Sequence, residues 1–345
     1  MPNSQGTPTL RDIAQLVGVS IATASAALNG SGRVSADTRA RVAQAAEALK
    51  YVPNLAARSL HRVRTNVIGV LVGHLSPASF EIVTGINVEG RAQGRQLLIS
   101  TTEIDALDEA RRVRDLAGGL ADGLILIAPV SPPERLADFR ALDVPIVLAN
   151  YRRQGSMLPI VYGENIQASA ALTEHLLALG HRRIAFVRGT ITSGQSDERE
   201  RGFRLALAKA GISVDESLVY SGDFTANAGL AAAKEIVALG SAGPTAVLGA
   251  NDQTARGLVL GFVEAGRSVP RDYSVTGFDG APMERLRPDL TTVQHPFREI
   301  GTEATRLLAG LIELDPVERG SHTPEIEIPS HLEIRDSTTV PRRAP

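Results

Sequence analysis

Residues 18–30 read GVSIATASAALNG, a short helical pattern placed between two turn signals, Gly18-Val19-Ser20 and Asn29-Gly30-Ser31-Gly32. Similar apolar periodicity precedes it from Leu10 and follows it as far as Tyr51. Helix N-caps are predicted at three hydroxyl residues that stand directly before these patterns: Thr9, Ser20 and Ser35. The three-residue turn between the first two helices predicts a helix-turn-helix.

The charge of the chain is unevenly distributed. Up to Thr65 there are eight Lys and Arg against three Asp and Glu, a formal charge of +5, and the remainder carries −7 of the total of −2. With 345 residues and 43% hydrophobic content, we expect two or three domains with well-buried cores. The chain has no cysteine, no apolar run of membrane-spanning length and no leader-like start, so we expect a soluble, cytoplasmic protein without a membrane partner.

Beyond an Arg-rich linker stretch after Pro53, strand-like runs alternate with helical patterns, which is typical of α/β lobes with parallel sheets. The runs VIGVLV, QLLIS, DGLILIA and VPIVLAN predict one lobe, and RRIAFVRG, AVLGAND and SVTGFDG predict another. We expect the chain to cross between the lobes from Tyr151 to Glu164. Two sheets imply a cleft between them.

The chain resembles the LacI/GalR family of bacterial transcription regulators over essentially its whole length. The resemblance rests on TLRDIAQLVGVS, TASAALNG, RVSADTRARV, ALKYVPNLAARSL, LGHRRIAFVRG, ERERGFRLAL, PTAVLGANDQTARG, SVTGFDG and LTTVQHPFREIG. It implies a helix-turn-helix headpiece (8–52), a hinge helix and linker (53–65), and a two-lobed, periplasmic-binding-protein-like α/β body (66–340) that dimerises and binds a small effector. We expect the lobes to comprise residues 66–163 with 295–325, and 164–294 with 326–340.

The family pattern places base-facing side chains of the second helix at Ile21, Ala22 and Ala26. Many relatives have an arginine at the last position, where it could contact guanine; here alanine stands there, so we expect apolar contacts with thymine methyl groups. Further contacts, mainly to phosphates, are expected from short polar side chains and one arginine: Thr9, Ser20, Thr23, Ser25, Asn29, Arg33, Ser35 and Thr38. Ser20 and Ser35 could equally serve only as helix caps.

The segment from Asn54 to Leu60 is shorter than the roughly 12–15 residues at which isolated helices become marginally stable in water. We therefore expect it to fold only when two copies pack together on DNA. Leu60, with the small Ala56 and Ala57 behind it, would then be a wedge in the minor groove, as the family's leucine is. Alternatively, Leu60 packs on the body as part of the linker.

Ligands of open α/β sheets bind beyond the carboxyl ends of the strands, which directs attention to the polar residues that close each strand-like run. These residues also fall on effector positions of the family, together with an arginine and an aromatic residue: Asn150, Arg199, Phe224, Asn251 and Asp279. The resemblance adds three residues to the lining of the cleft: Phe80, His295 and Phe297. Asn251, with Asp252 beside it at the end of the same strand-like run, could instead form a strand-end turn and helix cap.

Only one arginine stands in these motifs, so the expected effector is a neutral sugar, with a nucleobase or nucleoside as the alternative because Phe224 could stack on either. We expect a homodimeric repressor of carbohydrate-utilisation genes that binds a pseudo-palindromic operator in double-stranded DNA. A sugar-binding transport protein is the rival class, which the basic N-terminal helices disfavour. The seven histidines show no metal-ligand spacing and no catalytic motif is present, so neither an enzyme, a metal nor a cofactor is expected.

Overall fold

The computed structural model describes residues 8–29, 32–51, 64–102, 105–152, 155–190, 193–280 and 287–342. The chain divides into two compact units, Met1–Thr65 and Asn66–Pro345. The predicted hinge segment lies almost wholly outside the described residues, as do its three predicted DNA contacts, Asn54, Ala57 and Leu60.

The first unit contains three helices, α1 (Leu10–Val17), α2 (Ile21–Asn29) and α3 (Ala36–Ala48). Helix α1 ends because Gly18 takes a left-handed conformation with φ +73°, which turns the chain towards α2 within three residues. The apolar faces of the three helices meet in a small core in which Ile13, Ala24 and Val42 are fully buried. The predicted helix-turn-helix is confirmed.

The second unit alternates strands and helices. Its helices, in chain order, are α4 (Pro77–Ala92), α5 (Ala106–Ala117), α6 (Pro133–Asp138), α7 (Ile166–Ala178), α8 (Gly194–Lys209), α9 (Ala226–Ala238), α10 (Asp252–Glu264), α11 (Phe297–Glu313) and α12 (Pro316–Ser321). Its strands are β1 (Val67–Val72), β2 (Gln96–Thr101), β3 (Gly123–Ile127), β4 (Ile146–Ala149), β5 (Ile160–Gly163), β6 (Ile184–Val187), β7 (Val219–Tyr220), β8 (Ala246–Gly249), β9 (Ser274–Thr276), β10 (Thr292–Gln294), β11 (Glu325–Ile328) and β12 (His331–Glu333).

The first lobe is built on a six-stranded parallel sheet in the order β11-β5-β4-β3-β1-β2. Successive strand side chains point to opposite faces. In β3, Ile125 packs on the side of α4 and α11, whereas Leu124 packs on the side of α5 and α6. The central strands are therefore buried on both faces, which explains their continuous apolar sequence.

The second lobe repeats this arrangement around a four-stranded parallel sheet in the order β7-β6-β8-β9. Val187 and Val247 pack with α9 and α10 on one face, and Phe186 and Leu248 pack with α7 and α8 on the other. The predicted fold class is confirmed: a helix-turn-helix unit followed by a two-lobed α/β body. Within the described ranges, no helix combines the length and apolar character that crossing a membrane would require.

Two details of the predicted organisation were wrong. The segment from Tyr151 to Glu164 is not only a crossing, because residues 160–163 form β5 inside the first sheet. The return to the second lobe also comes later than residue 325, since β11 extends to Ile328 and pairs with β5. The alternating EIEI of β11 belongs to an edge strand with one wetter face, and the four-residue β5 is too short for its pattern to stand out.

Helices α4 and α11 cross at very short range in the first lobe. A Cβ added at Gly301 would collide with the carbonyl oxygen of Ile82, and one added at Gly85 would collide with that of Arg298. Glycines at both positions therefore allow the two helix backbones to touch. Gly310, on the same helix α11, is exposed and has no atom within 4 Å of an added Cβ.

We predict that Gly301→Ala lowers the free energy of unfolding by about 1–3 kcal/mol, because the helices must separate to admit the methyl group. Gly310→Ala is the matched control and should raise it by up to about 1 kcal/mol, since alanine favours an exposed helical position. Urea unfolding followed by far-UV circular dichroism, at one fixed protein concentration, measures both. Equal effects of the two substitutions would contradict the close crossing.

Candidate functional site

Helix α2 uses its alanines in two ways. Ala24 and Ala27 are buried, 0% and 5% exposed, where small side chains let α2 approach α1 and α3. Ala22 lies on the opposite, exposed side next to Ile21, which is 45% exposed, and Ala26 is partly exposed. The helix therefore presents a short apolar surface to solvent and has a separate apolar surface in the core.

Two of the three predicted caps, Ser20 and Ser35, accept a hydrogen bond from the first turn of their helix. The Ser20 hydroxyl accepts from the backbone N–H of Thr23 at 3.0 Å and lies 2.8 Å from the Thr23 hydroxyl. The Ser35 hydroxyl accepts from the N–H of Thr38 at 3.2 Å. At α1 the geometry is reversed, since the hydroxyl and N–H of Thr9 both donate to Asp12. These donors lower the pKa of the Asp12 carboxyl.

The remaining residues that are predicted to contact DNA in this unit differ in solvent exposure. Arg33 is exposed and Ser25 is partly exposed, whereas nothing is described of the Asn29 side chain. Arg41, on α3, donates from Nη2 to the carbonyl oxygen of Val17 at 2.8 Å. It therefore satisfies a free carbonyl at the end of α1 and fixes α3 against it.

In the body, Arg199 is the centre of the candidate site. It lies on α8 with 4% of its surface exposed. Its Nη1 donates to the carbonyl oxygen of Ala250 at 2.7 Å and lies 3.2 Å from Oδ1 of Asp279. Its Nε donates to Oδ1 of Asn165 at 3.0 Å, and its guanidinium carbon lies 3.7 Å from the ring centroid of Phe278.

Asp279 follows β9 at the carboxyl end of the second sheet and has φ +115°, a conformation that non-glycine residues rarely adopt. Its backbone accepts from the N–H of His295 at 3.1 Å, which fixes the chain where it turns towards the first lobe. Burial raises the pKa of the Asp279 carboxyl to about 6, although the Arg199 guanidinium opposes the shift. The pair is thus a desolvated charge pair at the cleft.

A second buried acid, Asp252, stands at the start of α10. Its Oδ1 accepts from the Thr292 hydroxyl at 2.6 Å, and 4% of its surface is exposed. Burial, reinforced by the nearby Asp279 carboxylate, raises the pKa of Asp252 to about 8. Because this pKa lies above 7, Asp252 is mostly protonated at neutral pH.

Asn251 and Phe224 are joined by a hydrogen bond. The Asn251 Nδ2 donates to the carbonyl oxygen of Phe224 at 3.1 Å, and its Oδ1 accepts from the N–H of Thr254 at 2.9 Å. Asn251 therefore does cap α10, as the structural alternative proposed. Phe224 has φ +66°, and its ring covers Gly189 so closely that a Cβ there would collide with it. The Arg199 guanidinium lies 5.9 Å from that ring.

Two buried acceptors at the carboxyl edge have no donor among the residues that the structure describes. The first is Oδ1 of Asn150, which follows β4 with φ +53°. The carbonyl oxygen of the same residue accepts from Nε2 of Gln195 at 2.7 Å. An unpaired buried acceptor is costly, so this atom is suited to a hydrogen-bond donor from outside the protein.

The second acceptor is Nε2 of His295, and its tautomer follows from its neighbours. The Ser330 hydroxyl donates to the carbonyl oxygen of Glu164 at 2.7 Å, so it can only accept from Nδ1 of His295, 3.1 Å away. Nδ1 therefore carries the hydrogen, and Nε2 is an acceptor with no partner within the described part of the chain. Burial holds the pKa of His295 well below its ordinary value, which keeps the ring neutral.

The last two predicted residues differ from this cluster. Phe297 is a core residue, 4% exposed, whose ring meets the edge of His295 at a centroid distance of 4.7 Å. Phe80 lies in the first turn of α4 and is 69% exposed. The structure therefore joins Phe297 to the buried cluster through His295 and leaves Phe80 on an exposed helix surface.

Two residues of the cluster were missed by sequence analysis: Phe278 and Asn165. The sequence around Phe278 indicates only a buried residue near the end of a strand. No neighbouring residue in the chain indicates that the Arg199 guanidinium stacks on its ring. Asn165 precedes a helix and resembles a cap, yet its side chain makes no cap hydrogen bond. The sequence identified Asp252 as a strand-end residue beside Asn251, but its burial is a consequence of the tertiary fold.

We predict that the contribution of Asp252 to the stability of the body falls as pH rises from about 4 to about 8. The folded-state pKa of Asp252 lies above its unfolded value, so its stabilising effect is complete below pH 4 and is lost as pH passes about 8. Asp252→Asn should flatten this slope, as measured by urea unfolding at several pH values. Glu264→Gln, which changes an exposed carboxylate on the same helix, should keep the wild-type slope. If Asp252→Asn also keeps it, Asp252 is not the titrating group.

Two family models match the chain. Residues 9–54 match "Bacterial regulatory proteins, lacI family", and residues 173–338 match "Periplasmic binding protein-like domain". The HTH-type transcriptional regulator CelR of Thermobifida fusca is 33% identical over 344 residues, covering 96% of this chain and 98% of the relative.

Solved structures agree with this relationship. A CelR–cellobiose complex is 31% identical with a TM-score of 0.71, covering 96% of this chain and 99% of the other. A lac repressor dimer bound to operator and the anti-inducer ONPF is 27% identical with a TM-score of 0.86, covering 97% and 100%. These similar proteins are transcriptional regulators and not enzymes. The chain therefore belongs to the lacI family of bacterial regulatory proteins, as a helix-turn-helix transcriptional regulator with a periplasmic-binding-protein-like body.

Proposed function

We propose that the protein is a homodimeric, cytoplasmic repressor of carbohydrate-utilisation genes whose operator affinity is controlled by a neutral sugar. The headpiece, residues 8–52, reads double-stranded DNA, residues 53–65 act as hinge and linker, and the body from residue 66 to 340 dimerises and binds the effector. The observation that carries the proposal is the buried Arg199–Asp279 pair at the carboxyl ends of parallel strands. Ligands of open α/β sheets bind at this edge.

The chemistry of the site supports a ligand rich in hydroxyl groups. Asp279, Oδ1 of Asn150 and Nε2 of His295 are acceptors, and the one buried cation among them, Arg199, already has an acidic partner. Acceptors require donors, which the hydroxyl groups of a sugar supply and a carboxylate or phosphate does not. The remaining predicted ligand residues, Phe224, Asn251, Phe297 and Phe80, add aromatic and amide surface.

The comparison proteins point the same way. The solved complex of the similar regulator CelR contains cellobiose, which is a neutral, polyhydroxylated ligand. A nucleoside is the second candidate, because the exposed face of an aromatic ring such as Phe224 stacks on a base as well as on a sugar. The acceptor-rich set favours the sugar.

On DNA, the exposed Ile21 and Ala22, together with Ala26, would contact thymine methyl groups in the major groove. The other predicted residues of the headpiece position the helix through phosphates: Thr9, Ser20, Thr23, Ser25, Asn29, Arg33, Ser35 and Thr38. Capping does not exclude this role for Ser20 and Ser35, since a helix N-terminus is itself a phosphate-binding position. Asn54, Ala57 and Leu60 would contact the minor groove from the hinge.

The effector would act by changing the preferred orientation of the two lobes. That change alters the separation of the two hinge segments in the dimer and therefore the cost of folding them on DNA. Operator affinity then differs between the two orientations, and the effector shifts the equilibrium by its own difference in affinity.

We predict that Asp279→Asn weakens cellobiose binding by about ten- to hundredfold, because a hydrogen bond to a charged group is lost. Isothermal titration calorimetry of the full chain measures it, and Glu235→Gln, an exposed acid of the same lobe, should bind like wild type. Adenosine is titrated in parallel. Wild-type binding of adenosine and not of cellobiose would favour the nucleoside. Unchanged cellobiose binding by Asp279→Asn would remove this residue from the site.

We predict that selection from random DNA duplexes at about 0.15 M salt retains a two-fold symmetric motif with one dominant central base step. On that operator, Leu60→Ala should lower affinity by tenfold or more, on the order of the few kcal/mol involved in opening a base step. Cellobiose binding should not change, which separates the hinge from the body. Unchanged operator affinity would exclude the wedge, and retention without a motif would contradict sequence-specific regulation.

A further inference from the structure

Arg152 is held in the first lobe between β4 and β5. Its guanidinium carbon lies 4.6 Å from the ring centroid of Tyr162, which is in β5. Its Nη1 donates to Oε2 of Glu325 at 2.6 Å, at the start of β11. Both partners belong to the first sheet, so the orientation of Arg152 is set by that lobe.

The same guanidinium also reaches the second lobe. Its Nε donates to Oε1 of Glu198 on α8 at 3.0 Å, and the Glu198 side chain is only 17% exposed. Water therefore screens this pair much less than it screens a surface pair. A second contact between the lobes lies one helical turn earlier, where Nε2 of Gln195 donates to the carbonyl oxygen of Asn150.

Glu198 is linked in turn to the effector residues. Its Oε2 accepts from Nδ2 of Asn165 at 3.1 Å, and Oδ1 of Asn165 accepts from Nε of Arg199 at 3.0 Å. The carboxylate and the guanidinium thus fix the amide orientation of Asn165 from both sides. A continuous series of hydrogen bonds runs from Glu325 through these residues to the Arg199–Asp279 pair.

We propose that Arg152 and Glu198 are positioning residues that hold the two lobes in the relative orientation of this structure and couple that orientation to Arg199. Neither residue belongs to the predicted effector set. Arg199 and Glu198 are neighbours on α8. A shift of that helix relative to the first lobe therefore moves Arg199 and also stretches or breaks the Arg152–Glu198 pair. The link concerns the angle between the lobes, whichever effector binds.

The two partners are not equivalent. Removing the Arg152 charge leaves Glu198 largely buried with Asn165 as its remaining partner, and an uncompensated buried charge is strongly unfavourable. Burial already raises the pKa of Glu198, with Arg152 and Asn165 opposing the shift. Removing the Glu198 charge instead leaves Arg152 with Glu325 and Tyr162. Arg152→Gln should therefore open the lobes more than Glu198→Gln does.

The distance between the lobes can be measured directly because the chain has no cysteine. Leu107→Cys and Asn227→Cys introduce one exposed site on each lobe, in the first turns of α5 and α9, helices that follow strands at the carboxyl edge. Both are spin-labelled, and the labelled chain is diluted into unlabelled chain so that each dimer carries one pair. Pulsed electron paramagnetic resonance then gives the distance distribution without effector, so its outcome does not depend on the proposed function.

We expect one narrow distribution for wild type and for Arg152→Lys, and a longer, broader one for Arg152→Gln, with Glu198→Gln between them. The matched control is Glu200→Gln, on the same helix, which breaks ion pairs to Arg188 and Arg204 within the second lobe and should leave the distance unchanged. If circular dichroism shows that Arg152→Gln does not fold, the comparison of Glu198→Gln with wild type tests the proposal instead. Wild-type distances in the folded charge-neutral variants, or an equal shift in Glu200→Gln, would overturn the proposal.

Discussion

A guanidinium buried in a protein needs partners for its N–H groups, and the body of this protein is organised around one such group. Arg199 is supported by Ala250 at the end of β8, by Asp279 after β9 and by Asn165 at the crossing between the lobes. Each partner comes from a different segment, so the charge is satisfied only when the second sheet, α8 and the crossing segment are assembled together. The site is therefore complete only when the lobe is correctly assembled, and a ligand bound at the proposed site would contact all of these segments.

The same cluster holds more acid than base. Arg199 opposes the pKa shift of Asp279, whereas Asp252 forms no ion pair with a described residue and is mostly protonated at neutral pH because burial dominates its pKa. His295, in contrast, stays neutral because burial disfavours its charged form. Burial in a medium of low dielectric constant therefore favours the neutral form of both Asp252 and His295. The acceptors that remain in the cluster are either neutral or paired with Arg199. This is a physical basis for preferring hydroxyl donors over anions.

Small side chains serve close approach in both units of the chain. In the headpiece, Ala24 and Ala27 bring α2 against its neighbours, while Ala22 and Ile21 remain exposed for another surface. In the body, Gly85 and Gly301 allow α4 and α11 to cross at backbone contact. Half of the alanines of α2 are therefore required by the core of the headpiece, where a larger side chain would not fit.

The sequence by itself determined the helix-turn-helix, the alternation of strands and helices, the capping residues and the strand-end positions of Asn150, Asn251 and Asp279. These features depend on local periodicity and on the hydrogen-bonding preferences of single residues. Residues that are close together in the chain are sufficient to specify both. Only the tertiary structure decided that β5 and β11 complete the first sheet, that Phe278 and Asn165 support Arg199, that Asp252 is buried, and that Arg152 joins the lobes. Each of these depends on contacts between residues far apart in the chain, because burial and electrostatic shifts arise from segments brought together only by folding.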